Sequence, residues 1–133
     1  MIKAIVSLSI LTMLLSGCDP ALVFSVEAAR KPNASVTVYM AKDVQNRHSV
    51  SAIPRQIIMV PTQDSIPVYK QQYSCGLGGW SNEGVRSFAE NIDSMIIEQQ
   101  GSRTIYNTKD EITNYLLNHR KGFAKRILYI EAN

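Results

Sequence analysis

The chain has few residues of the kinds that build chemical sites. Its 133 residues include two cysteines, two histidines and one tryptophan. His48, His119 and Cys75 give no pair at the spacing of zinc ligands, which excludes a zinc site built by this chain. No serine lies in a nucleophile-elbow pattern, and no phosphate-cradling or dinucleotide-binding glycine motif occurs. We therefore expect no enzyme activity, no metal and no cofactor.

The chain also has only a small excess of positive over negative charge. Fourteen basic and eleven acidic residues give a net charge of +3, which does not indicate nucleic-acid binding. The basic residues are scattered except for one cluster near the C-terminus, Arg120, Lys121, Lys125 and Arg126. We interpret this cluster as a solvated loop, with contact to anionic lipid or an acidic partner as the alternative.

The N-terminus has the pattern of an export signal. Lys3 is followed by an apolar run over residues 5–15, which is too short to span a bilayer. The run ends in Leu15-Ser16-Gly17-Cys18, which resembles the lipobox of bacterial lipoproteins. That resemblance implies that Cys18 is lipidated and becomes the mature N-terminus. An ordinary signal peptide that contains a cysteine is the alternative.

These signals divide the chain into three parts. Residues 1–17 are a lipoprotein signal peptide, residues 18–33 a lipid-anchored tether, and residues 34–133 a single small α+β domain. The tether has an apolar middle, Leu22 to Val26, which either adds to the membrane contact or packs on the domain as an edge strand. Lipidation of Cys18 leaves Cys75 without an internal disulfide partner. We expect its thiol to be buried, with a reachable thiol that forms an intermolecular bond as the alternative.

Hydrophobic periodicity predicts strands separated by two helices. Strands are expected at residues 34–40, 55–60, 66–73, 103–106 and 126–130, with an extended apolar piece starting at Met95. Helices are expected over residues 81–92, capped by Ser81, and 109–118, capped by Asn107 or Thr108. The predicted fold class is α+β, with a small mixed or antiparallel sheet and two helices packed on one face.

Two features are candidates for binding a partner. Ile57, Ile58, Met59 and Val60 lie between proline-containing turns and could form an exposed sheet edge that accepts a strand from another chain. Trp80, the only tryptophan, is interpreted as a cap on the core, with an interface anchor as the alternative.

The last third of the chain carries a family resemblance. Residues 102–121 and 126–130 combine a strand, a helix with Glu111 five residues before Leu116-Leu117, and a final strand. This pattern is similar to that of small periplasmic domains in secretin N-terminal regions. Together with the lipobox, it resembles the accessory lipoproteins of type IVb pilus systems.

The resemblance implies a non-enzymatic role facing the periplasm. The expected partner is an outer-membrane secretin or another pilus component, and the expected function is to help that machine assemble or reach its membrane. Asp19, next to the lipidated cysteine, favours retention at the inner membrane, whereas the expected role favours the outer membrane. A surface-exclusion lipoprotein, or another lipoprotein that binds an envelope protein, is the alternative.

Overall fold

A computed structural model describes residues 21–29, 33–41, 53–60 and 68–133, with only the backbone described at positions 68 and 69. The signal peptide over 1–17, the lipidation site Cys18, most of the loop at 41–52 and the turn at 61–65 lie outside the described residues. The predictions made for them stay predictions.

The described residues form eight strands and two α-helices, and the α+β class is confirmed. The strands are β1 Ala21–Ala29, β2 Ser35–Met40, β3 Gln56–Met59, β4 Val68–Leu77, β5 Ile92–Gln99, β6 Ser102–Tyr106, β7 Arg120–Lys121 and β8 Ile127–Ala132. The helices are α1 Asn82–Ala89 and α2 Lys109–Leu117, and a short 3₁₀ turn covers Phe123–Lys125.

The strands are distributed over two sheets, rather than the single small sheet expected. Sheet A has the order β4-β1-β8-β7, and sheet B has the order β3-β2-β5-β6. Sheet B is antiparallel throughout, whereas β1 and β8 of sheet A run parallel. The inner faces of both sheets and the apolar sides of both helices contribute to one buried cluster.

Strand β1 corrects the tether prediction. Residues 21–29 form a central strand of sheet A, paired with β4 on one side and β8 on the other. Consecutive residues from Phe24 to Ala28 are buried. A tether over residues 18–33 is therefore wrong for this stretch, and so is an edge strand. A strand buried on both faces needs the near-continuous apolar run seen in Leu22–Val26, which resembles a membrane-contacting linker when only sequence is considered.

The buried charge in β1 has its partner far along the chain. Glu27 is buried, and both of its carboxylate oxygens lie 2.8 Å from Lys121 Nζ on β7. Ser25 Oγ donates a hydrogen bond to the same carboxylate at 3.0 Å. An ion pair with added hydrogen bonds offsets the large cost of removing a carboxylate from water. Glu27 can therefore occupy a central strand.

Both helices begin where sequence predicts. Ser81 Oγ accepts a hydrogen bond from the Gly84 N–H at 3.0 Å and caps α1. Thr108 caps α2 in a reciprocal capping box, in which its side chain accepts from the Glu111 N–H and the Glu111 carboxylate accepts from the Thr108 N–H. Helix α2 contacts β5 and β8, and so joins the two sheets.

Candidate interaction surface

The predicted edge strand lies at the border of sheet B. Among the described strands, β3 pairs with β2 alone. Its side chains alternate between the core and solvent: Ile57 is 1% exposed and Met59 is buried, whereas Ile58 is 54% exposed and Val60 is also exposed. Ile57 and Met59 are therefore wrong as partner contacts, because successive side chains of a strand point to opposite faces. Contact through Ile58 and Val60 stays a prediction.

Trp80 belongs to the core. Its side chain is 5% exposed, its indole Nε1–H donates to the Val23 carbonyl oxygen at 2.9 Å, and its ring meets Phe88 edge-on with centroids 5.1 Å apart. The favoured interpretation, a cap on the core, is confirmed. The alternative of an interface anchor is wrong, because the ring offers almost no surface to a partner.

Register places an apolar row across the solvent-facing side of sheet B. Thr37 of β2 is opposite Ile58 of β3 and also opposite Ile96 of β5, and Ile96 is opposite Ile105 of β6. Ile58 and Ile105 at the two ends are more than half exposed, and Thr37 and Ile96 between them are partly exposed. At about 4.8 Å between strands, this row spans roughly 14 Å. We call these four residues the outer row.

Polar groups border the outer row on one side. Glu98 lies opposite both Ser35 and Arg103, accepts a hydrogen bond from Ser35 Oγ at 3.3 Å, and pairs with Arg103 at 3.3 Å. These groups and Val60 line an open cavity of about 400 Å³. An exposed ion pair adds little stability. The side chains of Glu98, Arg103 and Ser35 nevertheless place hydrogen-bond donors and acceptors beside the outer row. That arrangement resembles the polar rim and apolar centre of protein interfaces.

A second, polar cavity of about 230 Å³ lies beside a run of stacked rings on the other side of β6. His119 stacks on Tyr115 with ring centroids 3.7 Å apart, and Tyr106 and Tyr129 meet this pair edge-on. His119 Nδ1 contacts the Tyr115 carbonyl oxygen. Because a carbonyl only accepts, Nδ1 carries the proton of this contact.

The Tyr115 hydroxyl is held by the backbone of β8. It donates to the Glu131 carbonyl oxygen at 3.4 Å and accepts from the Glu131 N–H at 3.1 Å. Burial raises the pKa of Tyr115 well above its usual value, so the phenol stays protonated at neutral pH. The rings therefore brace α2 against β6 and β8.

The free cysteine is buried as predicted. Cys75 lies on β4 with its Sγ 3.7 Å from the Tyr73 carbonyl oxygen. Burial raises the pKa of the Cys75 thiol to about 11. Reaction requires the thiolate, so this thiol is a poor nucleophile at neutral pH.

Within residues 21–29, 33–41, 53–60 and 68–133, no group of three His, Cys, Asp or Glu side chains is arranged to hold a metal ion. No helix in those ranges is both long enough and apolar enough to span a membrane. His48 lies outside them.

Comparison with protein-family models, with curated proteins and with solved structures finds no match to this chain. The resemblance to accessory lipoproteins of type IVb pilus systems therefore stays a prediction carried by the sequence pattern.

Sequence reasoning missed most of the outer row. Ile96 stands within the run Met95-Ile96-Ile97, where the alternation of buried and exposed residues is hidden because every residue is apolar. Ile105 is in a strand with four exposed residues and one partly exposed residue, so no buried face marks its orientation. The sequence does not show the register between strands, which is what brings Ile96 and Ile105 together. The branched residues around Ile96 indicated only that this stretch is extended.

Proposed function

We propose that this chain is a non-enzymatic lipoprotein of the bacterial envelope that acts by protein contact. Its acylated Cys18 anchors it to a membrane, and its domain assists the assembly or outer-membrane localisation of a type IVb pilus or secretion machine. The partner is the secretin of that machine or another pilus component. The lipobox pattern and the family resemblance support the location and the partner.

The outer row is the observation that carries the contact. A sheet face that has both Ile58 and Ile105 more than half exposed retains apolar area that a partner can remove from water. The strand that bears Ile58 is also at a sheet edge among the described strands, where unpaired backbone groups can bind an added strand. Both features lie on sheet B, so one partner can use them together.

The test is site-specific photo-crosslinking in cells that assemble the pilus. A photoreactive amino acid replaces Ile58 or Ile105 in the full chain, and a matched control places it at Asn114, an exposed position on α2. We expect crosslinks to the secretin or another pilus component from positions 58 and 105 and none from position 114. Equal crosslinking from all three positions would contradict contact through the outer row.

Deletion of the protein tests the role itself. Loss of the chain is expected to reduce secretin multimers in the outer-membrane fraction and to stop pilus assembly. Normal pili together with increased entry of donor DNA would contradict the proposal and favour surface exclusion.

A further inference from the structure

The start of β1, the end of β4 and the residues before β8 lie at the same end of sheet A. Ala21, the first residue of β1, is opposite Leu77, the last residue of β4. The Val23 N–H donates to the Arg126 carbonyl oxygen at 2.8 Å, and β8 then runs parallel to β1. The turn at 122–126 therefore lies at the same end as Ala21 and Leu77. We call this the basal end.

The basal end exposes two large apolar side chains. Phe123 is 81% exposed and Leu77 is 73% exposed, the highest values among the large hydrophobic residues of the described chain. The basal end therefore presents apolar area that the fold itself does not cover.

The backbone around Phe123 is held in an uncommon conformation. Gly122, Ala124 and Lys125 all have positive φ, of 82°, 55° and 52°, a region that costs energy for residues with a Cβ. The neighbouring loop holds the turn in place, since the Trp80 N–H donates to the Lys125 carbonyl oxygen at 3.0 Å. A Cβ added at Gly79 would lie 2.1 Å from the Ala124 carbonyl oxygen, so the two segments are in close contact. The positive φ angles of Ala124 and Lys125 therefore lie directly after the exposed Phe123 in the chain.

The basic cluster divides into two kinds of residue. Lys121 is paired with Glu27, and the Arg120 guanidinium donates to the Trp80 carbonyl oxygen at 3.0 Å. Lys125 is exposed and Arg126 is partly exposed, and neither forms an ion pair with another described residue. Lys125 and Arg126 therefore lie two and three residues after Phe123 at the basal end, without an ion pair among the described residues.

Covalent geometry links this end to the anchor. Cys18 precedes Ala21 by three residues, so their Cα atoms are at most about 11 Å apart. We propose that the basal end docks on the surface of an anionic phospholipid bilayer. Phe123 and Leu77 enter the interfacial region, and Lys125 and Arg126 contact lipid phosphates.

This inference rests on the anchoring part of the proposed function, and it orients the domain. With the basal end on the bilayer, the domain has a fixed orientation relative to the membrane.

The test uses full-length acylated protein in vesicles of phosphatidylethanolamine and phosphatidylglycerol at three to one. A polarity-sensitive fluorophore is attached to Leu77→Cys, and a matched control carries it on Ile58→Cys, while buried Cys75 stays unlabelled in the folded protein. We expect blue-shifted emission and quenching by nitroxide lipids at position 77 and neither at position 58. Water-like emission from both positions would overturn the docking.

The mass of the purified protein shows whether it is acylated, and so distinguishes a failure of docking from the absence of the lipid anchor. Acylated protein whose position 77 remains in water overturns the docking and leaves the lipoprotein assignment intact, whereas unacylated protein that does not bind the vesicles overturns both.

A second measurement uses the mature chain, residues 18–133, with Cys18→Ala, so that neither acyl chains nor the apolar run of the signal peptide dominates binding. Phe123→Ser should weaken its partition into the same vesicles about tenfold or more. Lys125→Gln should weaken it about fivefold, with no effect on vesicles of phosphatidylcholine alone. Equal partition of all three proteins would contradict the proposal.

Discussion

The two sheets of this domain use their faces differently. Sheet A has a central strand whose residues from Phe24 to Ala28 are all buried, including a charged one. In sheet B, strands β2 and β3 alternate between core and solvent, and the solvent-facing side of the sheet presents the outer row. The two sheets also differ in strand direction, because β1 lies between a parallel and an antiparallel neighbour, whereas every pair in sheet B is antiparallel. The central strand of sheet A is thus enclosed on both faces, whereas sheet B leaves Ile58 and Ile105 more than half exposed on one face.

The largest effect is expected from the centre of sheet A. Phe24 is fully buried, with its ring centroid 4.8 Å from that of Phe88. Phe24→Ala should lower the free energy of unfolding by about 3–5 kcal/mol through lost burial and the remaining cavity. Urea denaturation of the full chain measures this, with exposed Phe123→Ala as the control, expected within about 0.5 kcal/mol of wild type. Equal midpoints for the two variants would contradict the central position of β1.

Two adjacent isoleucines test whether the side chains of β3 alternate between core and solvent. Ile57 is buried and Ile58 is exposed on the same strand. Ile57→Ala should lower the free energy of unfolding by about 2–5 kcal/mol, and Ile58→Ala should change it by less than about 0.5 kcal/mol. A reversed order in urea denaturation would mean that the register of β3 is shifted by one residue.

The ion pair between Glu27 and Lys121 tests whether the buried charge in sheet A depends on β7. Lys121→Met leaves the Glu27 carboxylate buried without its ammonium partner. Because Lys121 is partly exposed, we expect a loss of about 1–3 kcal/mol, below the cost of breaking a fully buried pair. Lys125→Met is the control and should be close to neutral. The double variant with Glu27→Gln should recover part of the loss, and a full additive loss would argue against a direct pair.

The N-terminal cap of α2, the helix that contacts both sheets, can be tested by the pH dependence of the free energy of unfolding. Hydrogen bonds from the Asn107 and Thr108 backbones and the Thr108 side chain lower the pKa of Glu111 below its ordinary value of 4.5. The stabilisation is therefore fully present above about pH 4.5 and is lost as the pH falls through the lower pKa of the folded state. Because this carboxylate is exposed, the effect should be the smallest of the four.

Unfolding measured from pH 7 to pH 3 for wild type and Glu111→Gln provides the comparison. The advantage of wild type over the variant should shrink as the pH falls. An advantage that does not change with pH would show that the ionised cap contributes nothing.

Local signals predicted the local structure well. Ser81 and Thr108 cap the helices because their hydroxyls bond to N–H groups within three residues, an interaction that depends on neighbours in sequence. The alternation of β2 likewise follows from its own residues. The fold class was therefore predictable from short stretches.

Long-range pairing was not predictable. Glu27 and Lys121 are 94 residues apart, and nothing near either one indicates that they meet. The same limit applies to the tether, because Leu22–Val26 becomes a central strand only when β8 pairs with it. Ile96 and Ile105 join the outer row through register, which one sequence does not encode locally.

The parallel pairing of β1 with β8 also has a consequence for the order of events when the chain folds. Val23 meets Ile127 across about a hundred intervening residues, and contacts of such separation form slowly because loop closure precedes them. Synthesis proceeds from the N-terminus, so β1 emerges first and its parallel neighbour emerges last. Until that final strand arrives, one edge of β1 remains unpaired and open to other strands. A chain truncated before β8 should therefore aggregate rather than form a smaller stable domain.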